Sequence, residues 1–489
     1  MDTKIDIYFS GFFNVAPETL EDYGAFNISL INDLPVFIDP FLLFNSENPA
    51  YQKLHRDIIE YVIFLRDRST RVNTNKGILR ALYTFPEVKQ NWLGFSQAGN
   101  SGSGLGFKFA RSLHDNLRSV FANFGNEQIT NASHIEKLCL VGDGVGRDNI
   151  SDFTTNLIKG FLLNYTQEFA MQCLDPSCCG KRYVTHTRFN YSTETWMSGK
   201  YYLPIINNDY VLLTPKDILT KDDTWINRSD MLDNLAEIAD ALPDSALRAQ
   251  VNDYLKSRLS GREQRNELLQ VYSSVIQRFP EIVDHYILGK EKRGNEAVDR
   301  SSTLVEKTQF LFINQVQDFV NRYLADTLFY KTSGNTLSEA RARVEYLKHV
   351  IENKDGYRFF YVDGKPIKRE QDIQLLFILT WFGSPSDLNR EVNNGRGAVD
   401  FKISRGNHDK SLVEFKLASN SQLKRNLQNQ VGVYEAANQT KQSLKVIIYF
   451  SEAEQQRVID ILKEIGQKDN KDIILIDARN DNKPSASVT

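Results

Sequence analysis

Two short apolar runs near the C-terminus alternate with polar positions. Residues 398–403 and 412–417 are rich in Val, Ile, Phe and Leu, and the polar, turn-forming residues 405–410 separate them. Alternation of apolar and polar residues is typical of strands, and a polar turn between two such runs is typical of a hairpin. The pattern therefore predicts a β-hairpin over residues 398–417.

Side chains two apart along a strand share a face, so this hairpin has an apolar and a polar face. The apolar positions are Val399, Phe401, Ile403, Val413, Phe415 and Leu417. If these residues pack into one core, Asp400, Glu414 and Lys416 converge on the opposite face.

That convergence has a chemical use. Two neighbouring carboxylates, here Asp400 and Glu414, repel each other unless a divalent cation lies between them, and their hard oxygens suit Mg²⁺ or Mn²⁺. A bound metal lowers the pKa of a coordinated water, and a lysine such as Lys416 can orient that water or neutralise a phosphate. The three residues therefore predict a phosphodiesterase centre.

The next amphipathic segment, residues 420–438, predicts a helix after the hairpin. Gln430 and Tyr434 are four apart, so they lie on one helical face, one turn from each other. Together with Asp400 and the Glu-Phe-Lys sequence at 414–416, this spacing resembles the PD-(D/E)XK nuclease superfamily, in particular its RecB-like branch with a Q-x-x-x-Y helix. The resemblance covers the C-terminal quarter of the chain, and the N-terminal half resembles no family.

The resemblance implies a restriction-endonuclease-like αβββαβ core with a site for Mg²⁺ or Mn²⁺. In that family the acidic pair, here Asp400 and Glu414, binds the metal, and the lysine, here Lys416, serves the hydrolytic water. The glutamine and the tyrosine, here Gln430 and Tyr434, orient the metal shell and the substrate strand.

The family's first helix adds a glutamate to the metal site. Here a helix is predicted over residues 369–382, and Glu370 is the candidate for that catalytic, metal-binding position. Gln374 lies one turn further on, and Glu391 in the following predicted strand is a weaker alternative ligand. A first-turn glutamate also favours the helix dipole without any catalytic role. The chain departs from the family at Val399, where the pattern has proline.

Two other interpretations of this segment stay open. One is a solvent-facing hairpin in which Lys416 forms a salt bridge with Asp400 or Glu414. The other is a nuclease-like fold that has lost catalysis and only binds nucleic acid or a partner protein.

Composition changes this picture only locally. The net charge of −3 excludes a wholly basic surface, so nucleic acid must be bound by a local patch. Basic residues do crowd around the predicted centre: Arg396, Lys402, Arg405, Lys410, Lys416, Lys424 and Arg425. Four cysteines in so long a chain, no signal peptide and no apolar span of membrane-crossing length predict a cytoplasmic protein without membrane contact.

A chain of 489 residues is long enough for several cores. We predict a multidomain α/β protein: an N-terminal α/β domain (1–220), a central helical linker or interaction domain (221–355), a nuclease domain (356–480) and a disordered tail (481–489). Strands are predicted over residues 5–9, 26–30 and 137–141, a helix over 51–67, a hairpin over 201–213, and an exposed loop over 290–302.

Two N-terminal features are candidates for ligands. The glycine-rich segment 142–152 before a predicted helix indicates a capped turn, with a ligand or partner site as the alternative. The cluster of Cys173, Cys178 and Cys179 near His186 lacks the paired C-x-x-C spacing of zinc sites, which favours a reduced structural cluster.

The leading prediction is a Mg²⁺-dependent endonuclease that hydrolyses DNA, with RNA as an alternative substrate and a homodimer as a further expectation. The resemblance, joined to an unfamiliar N-terminal half, implies a bacterial anti-phage or foreign-DNA defence effector. The rivals are a catalytically inactive protein that binds nucleic acid or a partner, and a protein whose chemistry uses a nucleotide at segment 142–152.

Overall fold

The computed structural model describes residues 7–70, 75–94, 104–118, 121, 123–141, 146–221, 223–259, 265–331, 334–381, 387–390, 401–405, 409–428 and 442–483. Over these ranges the protein is a mixed α/β structure with several small sheets. None of the helices in these ranges is long and apolar enough to span a bilayer.

The N-terminal part is mainly helical. Its helices are α1 (Phe9–Phe12), α2 (Pro17–Tyr23), α3 (Pro40–Asn45), α4 (Pro49–Ser69), α5 (Lys76–Ile78), α6 (Phe107–Arg118), α7 (Lys137–Val141), α8 (Arg147–Leu157) and α9 (Lys159–Cys173). Its strands are β1 (Phe37–Ile38), β2 (Cys179–Asn190), β3 (Thr195–Ile206), β4 (Asp209–Tyr210) and β5 (Leu219–Thr220). Strand β1 pairs with β5, and β2, β3 and β4 form an antiparallel sheet.

Two N-terminal predictions are confirmed. The helix predicted over 51–67 is α4, which begins after Asn48, whose side chain accepts a hydrogen bond from the Ala50 N–H. The hairpin predicted over 201–213 is formed by β3 and β4, and Asn207 and Asn208 connect them with φ values of 46° and 65°. Positive φ at both central residues is the conformation of a tight hairpin turn, which asparagine tolerates.

The strand predictions near the N-terminus are wrong. Residues 137–141 form helix α7, because a short apolar run does not distinguish a buried strand from a buried helix. Segments 5–9 and 26–30 do not form strands over their described residues. They meet at a single bridge between Tyr8 and Ser29, and helix α1 begins directly after Tyr8.

The central part is helical, as predicted. Its helices are α10 (Arg228–Asp233), α11 (Leu235–Asp240), α12 (Ser245–Arg258), α13 (Arg265–Arg278), α14 (Glu281–Glu291), α15 (Gly294–Gln309), α16 (Val316–Phe319) and α17 (Thr336–Asn353). Two π-helical stretches, Phe310–Gln315 and Val320–Leu324, continue α15 and α16. The loop predicted over 290–302 is wrong, because α15 buries one stripe of this polar segment, including Ala297 and Ser301.

The C-terminal part contains a five-stranded sheet. Its elements are β6 (Tyr361–Val362), β7 (Lys365–Pro366), α18 (Glu370–Thr380), β8 (Asp387–Arg390), β9 (Phe401–Arg405), β10 (Asp409–Leu417), β11 (Ser443–Tyr449), α19 (Glu452–Glu464) and β12 (Ile473–Asp477), and residues 423–428 are also helical. The sheet order is β12-β11-β10-β9-β8. The pairs β8–β9 and β9–β10 are antiparallel, whereas β10–β11 and β11–β12 are parallel.

Both faces of this sheet are covered. Helices α17 and α18 contact β10 on one side, where Phe377 of α18 stacks on Phe415 with ring centroids 3.9 Å apart. The other side packs around Ile447, which contacts α19 and the helical residues 423–428. Helix α17 therefore packs with the sheet, although the predicted domain boundaries place it in the central helical domain (221–355).

Short 3₁₀ turns complete the structure: Lys89–Asn91, Pro176–Cys178, Lys216–Ile218, Phe329–Lys331 and Gly356–Phe360.

Candidate functional site

Strand β10 carries two of the predicted residues on one face. Val413 and Phe415 are buried on the side of α17 and α18, so the intervening Glu414 and the following Lys416 lie on the opposite side. The register agrees, because Lys416 is paired with Ile447 of β11, which packs on the α19 side. The predicted separation of apolar and charged faces on this strand is confirmed.

Helix α18 brings the third residue. Its first residue is Glu370, and the stacking of Phe377 on Phe415 fixes the helix against β10. The Glu370 carboxylate accepts hydrogen bonds from the Leu417 N–H at 3.3 Å and from the Asn420 side-chain amide at 2.6 Å. A glutamate in the first helical turn, bound by groups at the end of β10, is thereby held at one end of that strand.

Lys416 joins the two carboxylates. Its Nζ lies 3.2 Å from Glu414 Oε1 and 3.4 Å from Glu370 Oε2. The Lys416–Glu370 contact also has hydrogen-bond geometry, whereas Glu414 Oε1 is within ion-pair distance but is not aligned as an acceptor. For Glu414 we regard the contact as an ion pair, because Coulombic attraction depends on distance and not on hydrogen-bond angle.

The three side chains form a gradient of exposure. The exposed fraction is 8 % for Glu414, 10 % for Lys416 and 22 % for Glu370. The salt bridge between Lys416 and Glu414 that one alternative predicts is formed, but it is largely buried and does not face solvent. The cluster is half-enclosed, and charges in such a place interact more strongly than they do in bulk water.

Two neighbouring residues were not predicted. Lys445 of β11 is registered directly beside Glu414, so a second lysine shares its face of the sheet. Asn420 holds Glu370 and is itself fixed by Arg457, whose guanidinium donates to the Asn420 backbone oxygen at 2.8 Å. Neither residue belongs to a motif. The alternation in β11 could have identified Lys445, but its pairing with Glu414 depends on strand register.

Several predicted residues lie outside the described residues: Asp400, Gln430, Tyr434, Glu391 and, from the basic patch, Arg396. Phe401, which follows Asp400 in the sequence, is registered opposite Val413. Gln374 is buried at 8 % exposure on α18. The roles predicted for these residues stay predictions.

Part of the predicted basic patch shares the face of Glu414. Lys402 is registered opposite Leu412, and Lys410 opposite Ser404. Because side chains alternate along a strand, both lysines lie on the same face of the sheet as Glu414 and Lys416. Lys424 is paired with Glu464 of α19. Lys402 and Lys410 therefore lie on the sheet face of Glu414, and Lys424 lies on the helical cover.

The carboxylates of this site suit a hard divalent cation. Glu414 Oε1 is buried and accepts no hydrogen bond, but it is ion-paired with Lys416, so a metal ion bound to this oxygen would share it with the lysine. Within the described ranges, however, no three Asp, Glu, His or Cys side chains lie close enough together to hold a metal ion. Glu370 and Glu414 fit a Mg²⁺ site only as part of a larger set.

The first N-terminal candidate is the group of three cysteines near His186. Cys173, Cys178 and Cys179 are free thiols, and with His186 they do not make a metal-binding group in the part of the chain that is described.

The described part of the glycine-rich segment is a helix start, where the Gly146 N–H donates to the Asn149 side chain at 2.9 Å. Burial, reinforced by the neighbouring Asp148 and then Glu87, raises the pKa of Asp152 to about 8. The Gly146–Asn149 bond is a helix N-terminal cap, and residues 142–145 lie outside the described residues. The nucleotide site predicted there stays a prediction.

Comparison with known proteins finds two families. Residues 14–227 match a family described as a domain of unknown function (DUF8370), and residues 336–452 match another domain of unknown function (DUF8371). The second match begins at α17 and includes α18, β10 and the Glu370–Glu414–Lys416 cluster. No curated protein and no solved structure matches the chain.

Proposed function

We propose that the protein is a Mg²⁺-dependent endonuclease that hydrolyses phosphodiester bonds of DNA, with its active site on the C-terminal sheet. The observation that carries the proposal is the position of Lys416, whose ammonium lies between the carboxylates of Glu414 and Glu370. The resemblance implies a shared site for Glu370, Glu414 and Lys416, and the other acid it names, Asp400, lies outside the described residues. In a half-enclosed site, such a set acts on a phosphate group through charge and positioning.

Each residue has a distinct role in this proposal. Glu414 and Glu370, together with Asp400, hold the metal ion, which when bound lowers the pKa of water and stabilises negative charge on phosphorus. Lys416 orients the attacking water and offsets the charge that develops on the phosphate oxygens. Asn420 is a positioning residue, because its side-chain amide donates to the Glu370 carboxylate and so orients it.

The charge of the sheet face suits a polyanion. Lys402 and Lys410, both partly exposed, lie on the same face of the sheet as Glu414 and Lys416, whereas Lys445 on that face is buried. Phosphate contacts from lysine supply most of the sequence-independent affinity for DNA. The face therefore attracts the backbone of a nucleic acid toward the carboxylates in a chain whose net charge is −3.

The order of elements gives independent support. Helix α18 is followed by the antiparallel strands β8, β9 and β10, and then by the parallel strand β11. This order agrees with the αβββαβ core implied by the resemblance to PD-(D/E)XK nucleases. A defence role against phage or foreign DNA, and a cytoplasmic location, belong to the same proposal.

The experiment is cleavage of supercoiled plasmid by the purified full-length chain in Mg²⁺ and in Mn²⁺. Wild type should nick or linearise the plasmid, and Lys416→Met and Asp400→Asn should each reduce the rate at least about a hundredfold, as for loss of a key electrostatic group. Lys468→Met, an exposed lysine outside the sheet, is the matched control and should cut like wild type. Equal cutting by Lys416→Met and wild type would place the activity elsewhere. A parallel assay with a single-stranded RNA tests the alternative substrate.

A second candidate function is a catalytically inactive nuclease-like fold that only binds nucleic acid. The observation in its favour is that Glu370 is already satisfied by protein groups, namely Lys416, the Leu417 N–H and Asn420. This candidate predicts DNA binding that persists in EDTA, together with no cleavage in any divalent metal.

A further inference from the structure

The long hairpin of β2 and β3 presents an unusual exposed face. Lys181 is registered opposite Tyr202, and Tyr183 opposite Lys200, so two lysines and two tyrosines form a diagonal pattern on one face. Tyr183 is 67 % exposed, and both lysines are exposed. The Tyr183 ring is therefore accessible to a ligand on the same face as the two lysines.

The hairpin is also positively charged. Residues 179–206 contain Lys181, Arg182, Arg188 and Lys200 but only one acid, Glu194. Glu194 is paired with Arg68 of α4 and so does not offset these cations. Within the described part of the chain, none of the four cations forms an ion pair.

Helix α9 holds the hairpin of β2 and β3 in place. Lys159 Nζ donates to the Thr185 backbone oxygen at 3.1 Å, and the Tyr202 N–H donates to the Gln167 side chain at 2.8 Å. The approach is so close that a Cβ on Gly160 would lie 2.5 Å from the Thr187 backbone oxygen. The hairpin therefore presents its tyrosines and lysines from a fixed position, which lowers the entropic cost of binding.

We propose that this face binds a single-stranded polynucleotide. Lys181 and Lys200 contact phosphates and Tyr183 stacks on a base, while Tyr202, partly buried and bonded to the Pro176 backbone oxygen, borders the site. Alternation of cations and accessible aromatic rings is the chemistry by which proteins hold single strands without sequence readout. A lipid surface fits less well, because the aliphatic residues Val184, Leu203 and Ile206 are buried and are not available for insertion.

The inference goes beyond the proposed nuclease, since none of these residues belongs to the sheet that carries Glu414. It is tested in EDTA, without cleavage, by fluorescence anisotropy of a labelled mixed-sequence single-stranded DNA and of the same sequence in RNA. Full-length wild type should bind at least one of them. Tyr183→Ala should weaken binding about 5- to 150-fold and Tyr183→Phe should restore it, because stacking needs only the ring.

The charge contribution is tested separately. The double variant Lys181→Ala/Lys200→Ala should reduce the slope of log affinity against log salt by about 1.4, or about 0.7 for each lost phosphate contact. The control is Lys256→Ala/Lys468→Ala, which removes two exposed lysines elsewhere and should leave the slope unchanged. Thermal unfolding of all variants should match wild type, because the altered side chains are exposed or partly exposed.

Three results would overturn the proposal. They are unchanged affinity in Tyr183→Ala, an equal loss in the control variant, and binding to anionic phosphatidylserine vesicles that depends on Tyr183 while neither oligonucleotide binds. Preference for DNA or for RNA would identify the natural strand, and either preference supports the assignment.

Discussion

Two clusters of ionisable residues lie in different parts of the molecule, and they differ in their access to water. The N-terminal cluster consists of Asp39, His134, Glu136 and Glu291 around helix α3. The C-terminal cluster consists of Glu370, Glu414 and Lys416. The His134 and Glu291 side chains are 0 % and 1 % exposed, whereas exposure in the C-terminal cluster rises from 8 % at Glu414 to 22 % at Glu370.

Access to water distinguishes a structural cluster from a cluster that can contact a substrate. Fully buried hydrogen-bonded pairs hold elements together because no solute can reach them, whereas a partly open cluster can exchange its partners for a substrate. In the N-terminal cluster, His134 Nε2 lies 2.9 Å from Glu291 Oε1, and the N–H groups of Asn131 and Ala132 bind the same carboxylate. Burial alone would raise the pKa of Glu291, but these three partners hold it below its usual value.

The largest effect should come from removing one half of the enclosed pair. Glu291→Ala leaves His134 and two backbone N–H groups buried without their acceptor, so stability should fall by about 3–5 kcal/mol. The measurement is urea unfolding followed by tryptophan fluorescence. Glu281→Ala, an exposed glutamate in the first turn of the same helix α14, is the control and should cost less than about 1 kcal/mol. A similar midpoint for Glu291→Ala and wild type would mean that the pair is not structural.

In the partly open cluster, the same kind of change should affect activity more than stability. Glu370→Gln keeps an acceptor for Asn420 and the Leu417 N–H but removes the negative charge next to Lys416. If the proposed nuclease is correct, cleavage should slow about 10- to 100-fold, which corresponds to about 1.4–2.7 kcal/mol of transition-state stabilisation. The urea midpoint should change little.

The matched control for that variant is Glu452→Gln, an exposed first-turn glutamate on α19. It should cut plasmid at the wild-type rate. If Glu370→Gln also cuts at that rate but unfolds more easily, the C-terminal cluster is structural like the N-terminal one, and the contrast between them disappears.

The C-terminal cluster could be predicted because its signals are local. Alternation along β10 gives the face of Glu414 and Lys416, and the polar turn gives the hairpin. Glu370 followed from the resemblance to a family. Asn420 and Lys445 could not be predicted, because their contacts depend on how α18 and β11 dock on β10, which a pattern within one segment does not encode.

The N-terminal cluster was not predicted at all. His134, Glu136 and Glu291 are polar residues in ordinary-looking segments, and the chain brings Glu291 to His134 across 157 positions. The strand expected at 137–141 failed for a related reason. Leu138, Cys139 and Leu140 are all buried, so neither the strand nor the helix period is visible in the sequence.

The third effect is gradual and concerns the protonation of the enclosed acids. Burial, reinforced by the nearby Asp39, raises the pKa of Glu136 well above its ordinary value, against opposing backbone N–H groups that include that of Phe41. Burial also raises the pKa of Asp39 to about 6, against the opposing N–H groups of Trp225 and Phe41. Both acids therefore keep a proton in the fold at pH values where the unfolded chain has lost it.

The direction in which stability changes with pH follows from this difference between the folded and unfolded pKa values. The stability these protons confer is complete below the unfolded pKa values of about 4 and declines as pH rises, by up to about 1.4 kcal/mol per unit for each acid until its folded pKa is reached. Glu136→Gln cannot lose a proton, so its urea midpoint should decline less than that of wild type between about pH 5 and pH 8. Glu281→Gln should follow the wild-type decline, because its carboxylate is exposed. Parallel curves for Glu136→Gln and wild type would show that water reaches the N-terminal cluster, and the two clusters would then differ in composition but not in access.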